Sequence, residues 1–249
     1  MDADEIKQNR LYDEFAHLWT LISAPGDYAE EARHWREVLQ EKLGPGRHEI
    51  LELGVGGGNN LSHLTADFQA TAVDLSPEML ANSIKLNPGV EHHVGDMRSI
   101  RLGRKFKAVI IHDAVNYLLC EDDLLATFAT AAEHLDRRGL LVMAPDDFRD
   151  SYREHTVHHS TRSDGRTTLT HIDYQYDPNP HDTTVETLMF YIIREGNRVR
   201  IEPDRHVTGL FPLQKWLDLM EQAGFTAEKR AYPVHEDGRE GYLLVGVKR

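Results

Sequence analysis

Residues 50–60 are the best candidate for a functional site in this chain, because they combine several glycines with an acid. It reads Ile-Leu-Glu-Leu-Gly-Val-Gly-Gly-Gly-Asn-Asn. The apolar first half predicts a buried strand, and the second half predicts a glycine loop that opens onto a helix. Gly54 and Gly56 can adopt backbone angles that are closed to residues with a Cβ, and they allow a ligand to approach the main chain. A strand, loop and helix in this order typically hold a nucleoside cofactor.

Two residues of this stretch, Glu52 and Asn59, discriminate between classes of cofactor. The dinucleotide fingerprint G-x-G-x-x-G requires a third glycine, and Asn59 stands in its place. The Glu52 carboxylate would repel the pyrophosphate of a dinucleotide, whereas a cationic or uncharged nucleoside such as S-adenosylmethionine would tolerate it. We therefore expect S-adenosylmethionine as the cofactor, and a dinucleotide oxidoreductase is the disfavoured alternative.

Further acids follow the other predicted strands, where ligands bind in parallel α/β sheets. They are Asp74, Asp96, Asp113 and Asp146. A carboxylate at Asp74 can accept both hydroxyls of a ribose. Asp96 can accept the exocyclic amine of adenine, and Met97 offers a soft surface for the base. Helix capping explains an acid at any one strand end, but core packing does not require acids at all of them.

The composition favours a small molecule as the partner. The formal net charge is -13 and the pI is near 5.6, and no extended basic surface is evident to bind nucleic acid. Cys120 is the only cysteine, so no intrachain disulfide can form and a reducing compartment is indicated. No stretch approaches the roughly 20 apolar residues of a membrane span, and the N-terminus resembles no signal peptide. We expect a cytoplasmic protein with neither a nucleic-acid nor a membrane partner.

Predicted helices and strands alternate through the first half of the chain. The spacing of Trp35, Leu39 and Leu43 predicts a helix that ends at Gly44. Further strands are predicted at residues 70–75, 90–94, 108–112 and 140–144, and further helices near Asn60, from Pro77 and over Asp122 to Leu135. The alternation predicts an α/β fold with a Rossmann-like, seven-stranded, mostly parallel sheet and helices on both faces.

The second half predicts an antiparallel β insertion after the fifth strand. Polar and apolar residues alternate with a period of two between residues 148 and 211, with hairpin turns at Asp164-Gly165 and Gly196-Asn197. Pro212 then begins a helix. Two final strands, near residues 227–232 and 242–247, are predicted to pair antiparallel through a tight turn at Asp237-Gly238.

Three segments follow from this order of elements. We expect a cofactor-binding core with N-terminal helices that cover the cofactor (1–147), and a C-terminal helix and hairpin that complete the sheet (212–249). The insertion between them (148–211) is expected either to wall the acceptor pocket or to pair two subunits as a homodimer.

Several motifs together resemble the class I S-adenosylmethionine-dependent methyltransferases, over about Tyr12 to Arg249. They are Glu52-Leu-Gly54-Val-Gly56-Gly-Gly58, Val73-Asp74-Leu-Ser76, Gly95-Asp96-Met97 and the terminal Tyr242-Leu-Leu-Val-Gly-Val. A further set resembles a bacterial small-molecule subgroup that includes amino-sugar N-methyltransferases: Leu11-Tyr12-Asp13, Asp27-Tyr28-Ala29-Glu30 and Asp113-Ala-Val-Asn116-Tyr117-Leu. The resemblance implies an enzyme that methylates nitrogen or oxygen of a small-molecule acceptor.

The motifs and the resemblance imply a set of cofactor contacts at the strand ends and in the N-terminal segment. These are Tyr12, Trp19, Glu52, Gly54, Gly56, Asn59, Asp74, Leu75, Met79, Asp96, Met97, His112, Asp113 and Tyr117. Tyr12 and Trp19 lie in the segment that similar enzymes fold over the cofactor.

Three residues are candidates for catalysis. Tyr12 is proposed as a hydroxyl near the reacting methyl group. His112 follows the fourth strand and could take a proton from the acceptor, and His206 is a second candidate base. Asp113 could hold the ammonium of the cofactor or an acceptor amine, and the acidic composition favours an amine.

Two other functions remain open on the sequence. Asp113 with Asp146 and Asp147 offers oxygen ligands for a metal-dependent O-methyltransferase, but an asparagine expected beside the second acid is missing. The histidines at 155, 158 and 159 are more typical of solvated surface than of a metal site, so we expect none. A non-catalytic S-adenosylmethionine-binding protein is the other alternative, in which Tyr12 and both candidate bases would be idle.

Overall fold

The computed structural model describes residues 3–233 and 241–249, and these residues form eleven strands. In chain order the strands are β1 (Glu49–Leu53), β2 (Gln69–Asp74), β3 (Glu91–Val94), β4 (Phe106–Ile111), β5 (Leu135–Met143), β6 (Thr156–Ser163), β7 (Thr167–Tyr176), β8 (Thr184–Glu195), β9 (Arg198–Gly209), β10 (Phe225–Ala231) and β11 (Tyr242–Lys248). Seven of them form one sheet in the order β10-β11-β5-β4-β1-β2-β3, and the other four form a second sheet.

The seven-stranded sheet is mostly parallel, as predicted. Strands β1 to β5 pair in parallel, and β11 runs antiparallel to both of its neighbours, β5 and β10. The antiparallel pairing of β10 with β11 confirms the predicted pair, whereas the predicted turn at Asp237-Gly238 lies outside the described residues.

Helices cover both faces of this sheet. The α-helices are α1 (Trp19–Ile22), α2 (Ala29–Leu43), α3 (Asn59–Ser62), α4 (Pro77–Leu86), α5 (Glu121–His134) and α6 (Leu213–Gln222). Short 3-10 helices span Ala3–Glu5, Arg10–Tyr12, Ala16–Leu18, Pro25–Tyr28 and Asp113–Tyr117. None of the helices in the described ranges is long and apolar enough to cross a membrane.

Alternation along β1 explains why the core has two halves. Successive side chains of a strand point to opposite faces, so Ile50 packs with Trp35 of α2, while Leu51 packs with Phe128 of α5 and Trp216 of α6. All of these side chains are fully buried. Packing on both faces fixes the position of the loop that follows β1.

The fifth strand begins earlier than the sequence predicts. It starts at Leu135, directly after α5, whereas the prediction began at residue 140. Pairing with β4 is irregular between Phe106 and Ala108 and becomes regular from Leu140 onward. The apolar run from Leu140 therefore marks only the regular part of the strand.

The insertion forms a four-stranded antiparallel sheet in the order β6-β7-β8-β9, as predicted. Its inner face packs on the N-terminal segment, residues 3–28. Phe15 and Leu11 share a buried cluster with Leu169 and Tyr191 of the insertion. This packing holds the N-terminal segment between the second sheet and the glycine loop.

Candidate active site

A cavity of about 450 Å³ opens at the carboxyl ends of β1, β2 and β4. That volume lies within the range of roughly 300–1,000 Å³ that is typical of small-ligand sites. All but three of the residues predicted for the site line it: Tyr12, Trp19, Glu52, Gly54, Gly56, Asn59, Asp74, Leu75, Met97, His112, Asp113 and Tyr117. Leu75 is 68% exposed at this surface, which is unusual for a large apolar side chain and suits a ligand contact.

The glycine loop requires glycine at two positions for different reasons. Gly54 has a φ of 74°, and a Cβ there would lie 2.3 Å from the Cβ of Ala114. A Cβ on Gly57 would lie 2.0 Å from Nε1 of Trp19, because the indole of the N-terminal segment packs directly on the loop. The loop is therefore shaped both to approach a ligand and to receive Trp19.

Asp74 anchors the glycine loop from the end of β2. Its carboxylate accepts hydrogen bonds from the backbone N–H of Gly56 at 2.7 Å and of Ser76 at 2.8 Å. Burial raises the pKa of Asp74, and these backbone hydrogen bonds oppose the increase. Asp74 lines the cavity, where a carboxylate is suited to accept ribose hydroxyls.

Glu52 is a buried acid whose Oε2 has no hydrogen-bond partner among the described residues. The residue is 2% exposed, and burial raises the pKa of Glu52 to about 8 although the nearby His112 opposes this. Trp19 Nε1 and both amide atoms of Asn60 are also buried without a partner within the described ranges, and both residues line the same cavity. Buried polar atoms are normally paired, so these atoms indicate a bound ligand. S-adenosylmethionine, which carries cationic and hydrogen-bonding groups, fits them.

His112 lies between two carboxylates. Its Nε2 lies 2.7 Å from Oε2 of Glu31 and its Nδ1 lies 3.2 Å from Oδ1 of Asp113. Burial alone would lower the pKa of His112, but Asp113 and Glu31 outweigh burial and raise the pKa well above its ordinary value. Both ring nitrogens of His112 are thus engaged by carboxylates, and the role of base that the sequence predicts for His112 stays a prediction.

The charge on His112 orders the groups around it. Burial opposes ionisation of Asp113, but the neighbouring imidazolium lowers its pKa, and 48% of the Asp113 side chain remains exposed. On the other side, Glu31 accepts a hydrogen bond from the Tyr232 hydroxyl at 3.0 Å. Trp35 donates to that hydroxyl at 3.1 Å. His112 thus joins α2 to the end of β4 and keeps an anionic Asp113 at the cavity.

Tyrosine hydroxyls lead from the cavity to a buried histidine. The hydroxyls of Tyr12 and Tyr117 lie 2.8 Å apart, and the Tyr117 hydroxyl lies 2.6 Å from Nδ1 of His206. Nε2 of His206 lies 2.9 Å from Oδ2 of Asp204. Burial raises the pKa of Tyr12 and of Tyr117 above the ordinary value, so both hydroxyls stay protonated.

Asp204 connects this row of hydrogen-bonded side chains, Tyr12, Tyr117 and His206, to the backbone of the N-terminal segment. Oδ1 accepts from the N–H of Arg10 at 2.9 Å, and Oδ2 accepts from the N–H of Leu11 at 2.8 Å. Burial opposes ionisation of Asp204, but His206 and these backbone groups lower its pKa. Asp204 is therefore a carboxylate that only accepts hydrogen bonds.

Three predicted site residues do not line the cavity: Met79, Asp96 and His206. Met79 is fully buried beneath the glycine loop, with its Cε 3.7 Å from the place of a Cβ on Gly56. Asp96 pairs with Arg98 at 2.7 Å, and its predicted contact with the adenine amine stays a prediction. His206 reaches the cavity only through Tyr117.

Other lining residues were not predicted, among them Tyr28, Asn60 and Ser76. Asn60 follows Asn59 directly, and its place in the glycine stretch could have identified it. Ser76 donates a short hydrogen bond to the carbonyl of Tyr12 and accepts from the N–H of Met79 at 3.0 Å, so it joins the N-terminal segment to α4. In the described part of the chain no three histidine, cysteine or acid side chains are grouped to hold a metal ion.

Comparison with known proteins shows the family. The model of a methyltransferase domain matches residues 50–139. The chain is 33% identical to the dTDP-3-amino-3,4,6-trideoxy-alpha-D-glucopyranose N,N-dimethyltransferase of Streptomyces venezuelae, over 98% of both chains. It is 29% identical to the dTDP-3-amino-3,6-dideoxy-alpha-D-glucopyranose N,N-dimethyltransferase of Streptomyces fradiae, over 78% of this chain and 74% of that one.

Solved structures agree with this relationship. The crystal structure of DesVI from Streptomyces venezuelae matches with a TM-score of 0.79 and 27% identity, and covers 100% of this chain and 99% of its own. The sugar N-methyltransferase KedS8 from Streptoalloteichus matches with a TM-score of 0.80 and 26% identity, over 96% of this chain and 92% of its own. The comparisons favour neither the metal-dependent nor the non-catalytic alternative. The chain belongs to the S-adenosylmethionine-dependent methyltransferases and is an enzyme that methylates a small-molecule acceptor.

Proposed function

We propose that this methyltransferase acts on the amine of a nucleotide-linked amino sugar. The acidic cavity carries the proposal, because the carboxylates of Asp13, Asp74 and Asp113 line it together with only one basic side chain from the described ranges, His112. Among the described residues of the lining, none is a lysine or an arginine. Such a surface attracts an amine, which is cationic in water, in preference to a neutral hydroxyl. The same surface repels phosphate, so only the sugar of the acceptor enters and its diphosphate stays outside.

Similarity to sugar N,N-dimethyltransferases supports this acceptor class. The relative from Streptomyces venezuelae is similar over 98% of both chains, which includes the insertion as well as the cofactor-binding half. Val207 of β9 lines the cavity, so the insertion contributes to the wall where an acceptor would lie.

The side chains around the cavity have separable roles. S-adenosylmethionine supplies a methyl group on a sulfonium, which transfers to a lone pair held in line behind it. Glu52, Asp74 and the glycine loop hold the nucleoside, and the exposed carboxylate of Asp113 holds an ammonium. Trp19 and Tyr12 cover the site from the N-terminal segment and exclude water. Tyr12 presents the hydroxyl that meets the acceptor.

A pair of matched acceptors tests the proposal. The enzyme is incubated with S-adenosylmethionine and either dTDP-3-amino-3,4,6-trideoxy-α-D-glucopyranose or its analogue with a hydroxyl in place of the amine, and products are identified by mass spectrometry. We expect methylation of the amine only. Equal methylation of the hydroxyl analogue would overturn the preference for nitrogen, and methylation of neither would overturn the acceptor class.

We also propose the division of the chain at residues 147 and 211, a homodimer and a cytoplasmic location. Val157, Val199 and Ile201 support pairing through the four-stranded sheet, because they are large apolar side chains that are 57–64% exposed. Sedimentation of the wild type and of an Ile201→Lys variant tests this pairing, and a monomeric wild type would refute it. The lone cysteine supports a reducing compartment, which cell fractionation tests.

A further inference from the structure

A row of hydrogen-bonded side chains connects the cavity with a carboxylate that is fully buried. Tyr12 and Tyr117 line the cavity, whereas His206 is 1% exposed and Asp204 is 0% exposed. The three contacts along this row measure 2.8, 2.6 and 2.9 Å, within the range of good hydrogen bonds. Substrate binding alone does not require a buried histidine and carboxylate behind the hydroxyls.

The carboxylate at the buried end fixes the direction of each hydrogen bond. Asp204 only accepts, so His206 must carry its proton on Nε2 and donate it there. A neutral imidazole then offers Nδ1 as an acceptor, and Tyr117 donates to it. The Tyr117 oxygen in turn accepts from Tyr12. The first open acceptor of the row is therefore the Tyr12 oxygen, at the wall of the cavity.

We propose that this row removes a proton from the acceptor ammonium before methyl transfer, an inference that rests on the proposed amine acceptor. The ammonium N–H bond breaks and its proton binds the Tyr12 oxygen. The Tyr12 proton moves to the Tyr117 oxygen, and the Tyr117 proton moves to Nδ1 of His206. The electron pair left on nitrogen is the pair that forms the new N–C bond as the S–C bond breaks. His206 ends as an imidazolium beside Asp204.

The acids of the cavity are the reason that such a row is useful. They stabilise the ammonium form of a bound amine and so oppose its conversion to the nucleophilic free amine. His206 lies behind the tyrosines with its own carboxylate, so the proton gains a stable position away from the reacting atoms. Tyr12 is the catalytic residue of the row, because it touches the acceptor. Tyr117, His206 and Asp204 act through it.

Two substitutions interrupt proton movement and preserve packing. Tyr117→Phe removes the bridging hydroxyl. His206→Gln can still accept from Tyr117 and donate to Asp204, but an amide cannot take up the proton. Tyr176→Phe is the matched control for loss of a tyrosine hydroxyl, because Tyr176 donates to Glu186 at 2.8 Å in the insertion, where His206 also lies, yet it does not line the cavity. Thermal unfolding establishes that each variant is folded.

The readout compares two acceptors that differ in basicity. One is dTDP-3-amino-3,4,6-trideoxy-α-D-glucopyranose, and the other carries a hydroxylamino group in place of the amine and arrives uncharged at neutral pH. We expect Tyr117→Phe and His206→Gln to lower kcat for the amine by about 100-fold, the scale of general-base catalysis. The deficit should shrink by at least about tenfold with the hydroxylamine. The control should match the wild type with both.

An equal deficit with both acceptors would overturn the proposal in favour of a positioning role, and so would the absence of a deficit. Methylation of neither acceptor by the wild type would instead refute the proposed function on which the inference rests.

A second measurement does not depend on turnover. Nitrogen-15 NMR of the unliganded enzyme should show His206 with its proton on Nε2 and none on Nδ1. With S-adenosylhomocysteine and the amine acceptor bound, Nδ1 should become protonated in the wild type and not in Tyr117→Phe. A proton on Nδ1 in the unliganded wild type would by itself refute the proposed direction of these hydrogen bonds and the proton transfer along them, whatever the acceptor is.

Discussion

Replacing Glu52 by glutamine should remove a pH-dependent loss of stability from this protein. Glu52 is fully enclosed at the end of β1, and burial raises its pKa from 4.5 to about 8. The folded protein therefore binds this proton more tightly than the unfolded chain does. The contribution of Glu52 to the free energy of unfolding is greatest at low pH and is lost as the pH rises from the pKa of the unfolded chain toward that of the folded protein. Above about pH 8 no further loss occurs.

The magnitude follows from the two pKa values. A difference of about 3.5 between them corresponds to about 5 kcal/mol, at about 1.4 kcal/mol per pKa unit. About 2 kcal/mol of this is already lost at about pH 6, so about 3 kcal/mol should be lost between about pH 6 and pH 9. Glutamine has nearly the same shape and does not ionise in this range. The free energy of unfolding of Glu52→Gln should therefore rise by about 3 kcal/mol relative to the wild type over that interval.

Urea unfolding of both proteins at several pH values measures this difference. Other titrating groups are common to the two chains and cancel in the comparison. A cation bound beside Glu52 should ionise it, so binding of S-adenosylmethionine near neutral pH should release a proton from the wild type and not from Glu52→Gln. Calorimetry in two buffers of different ionisation enthalpy detects that proton. Parallel stability curves for the two proteins would refute the inference that Glu52 is protonated in the unliganded site.

Two further substitutions test the packing of Trp19 on the glycine loop and the ion pairs of His112. Gly57→Ala should displace the Trp19 indole, because Nε1 of Trp19 lies 2.0 Å from the place of the new Cβ. Equilibrium binding should then show a Kd for S-adenosylmethionine raised by about tenfold, equivalent to about 1.4 kcal/mol. Gly89→Ala is the control, because a Cβ at that position meets no other atom. His112→Gln should destabilise the protein most below the unfolded pKa of about 6.5, where the imidazolium pairs fully contribute, and the deficit should shrink as the pH rises through the raised folded pKa. Urea unfolding across this range checks it, and a deficit that is independent of pH would contradict the charge assigned to His112.

The strand-end rule explains what could be predicted of the site. Carboxyl ends of parallel strands meet at one edge of a sheet, so Glu52, Asp74 and Asp113 share a cavity although they are far apart in sequence. The rule says where a strand ends but not what else reaches that place. Asp96 also follows a strand, yet the guanidinium of Arg98 pairs with it. Its orientation depends on a partner that the spacing of acids does not identify.

His112 illustrates the part that could not be predicted. Its partner Glu31 lies 81 positions earlier, on a helix whose rotation over the sheet depends on packing around Trp35. Tyr232, which donates to Glu31, lies 201 positions after it. Hydrophobic periodicity predicts that the helix exists, but not which polar residue meets the end of β4. Without Glu31 the sequence favours a neutral histidine, whereas Glu31 together with Asp113 raises the pKa of His112 well above its ordinary value.

Charge explains why one site contains both the acids and the proposed row of hydroxyls. A sulfonium and an ammonium repel each other at the distance that methyl transfer requires, and the Asp74 and Asp113 carboxylates offset part of this repulsion. The same carboxylates make the ammonium harder to deprotonate, so acids alone would bind the amine and leave it unreactive. The proposed transfer of the proton through Tyr12 to His206 would remove one of the two cations before they must approach. Binding and reactivity thus make opposite demands on the charge of the amine, and separate residues satisfy them.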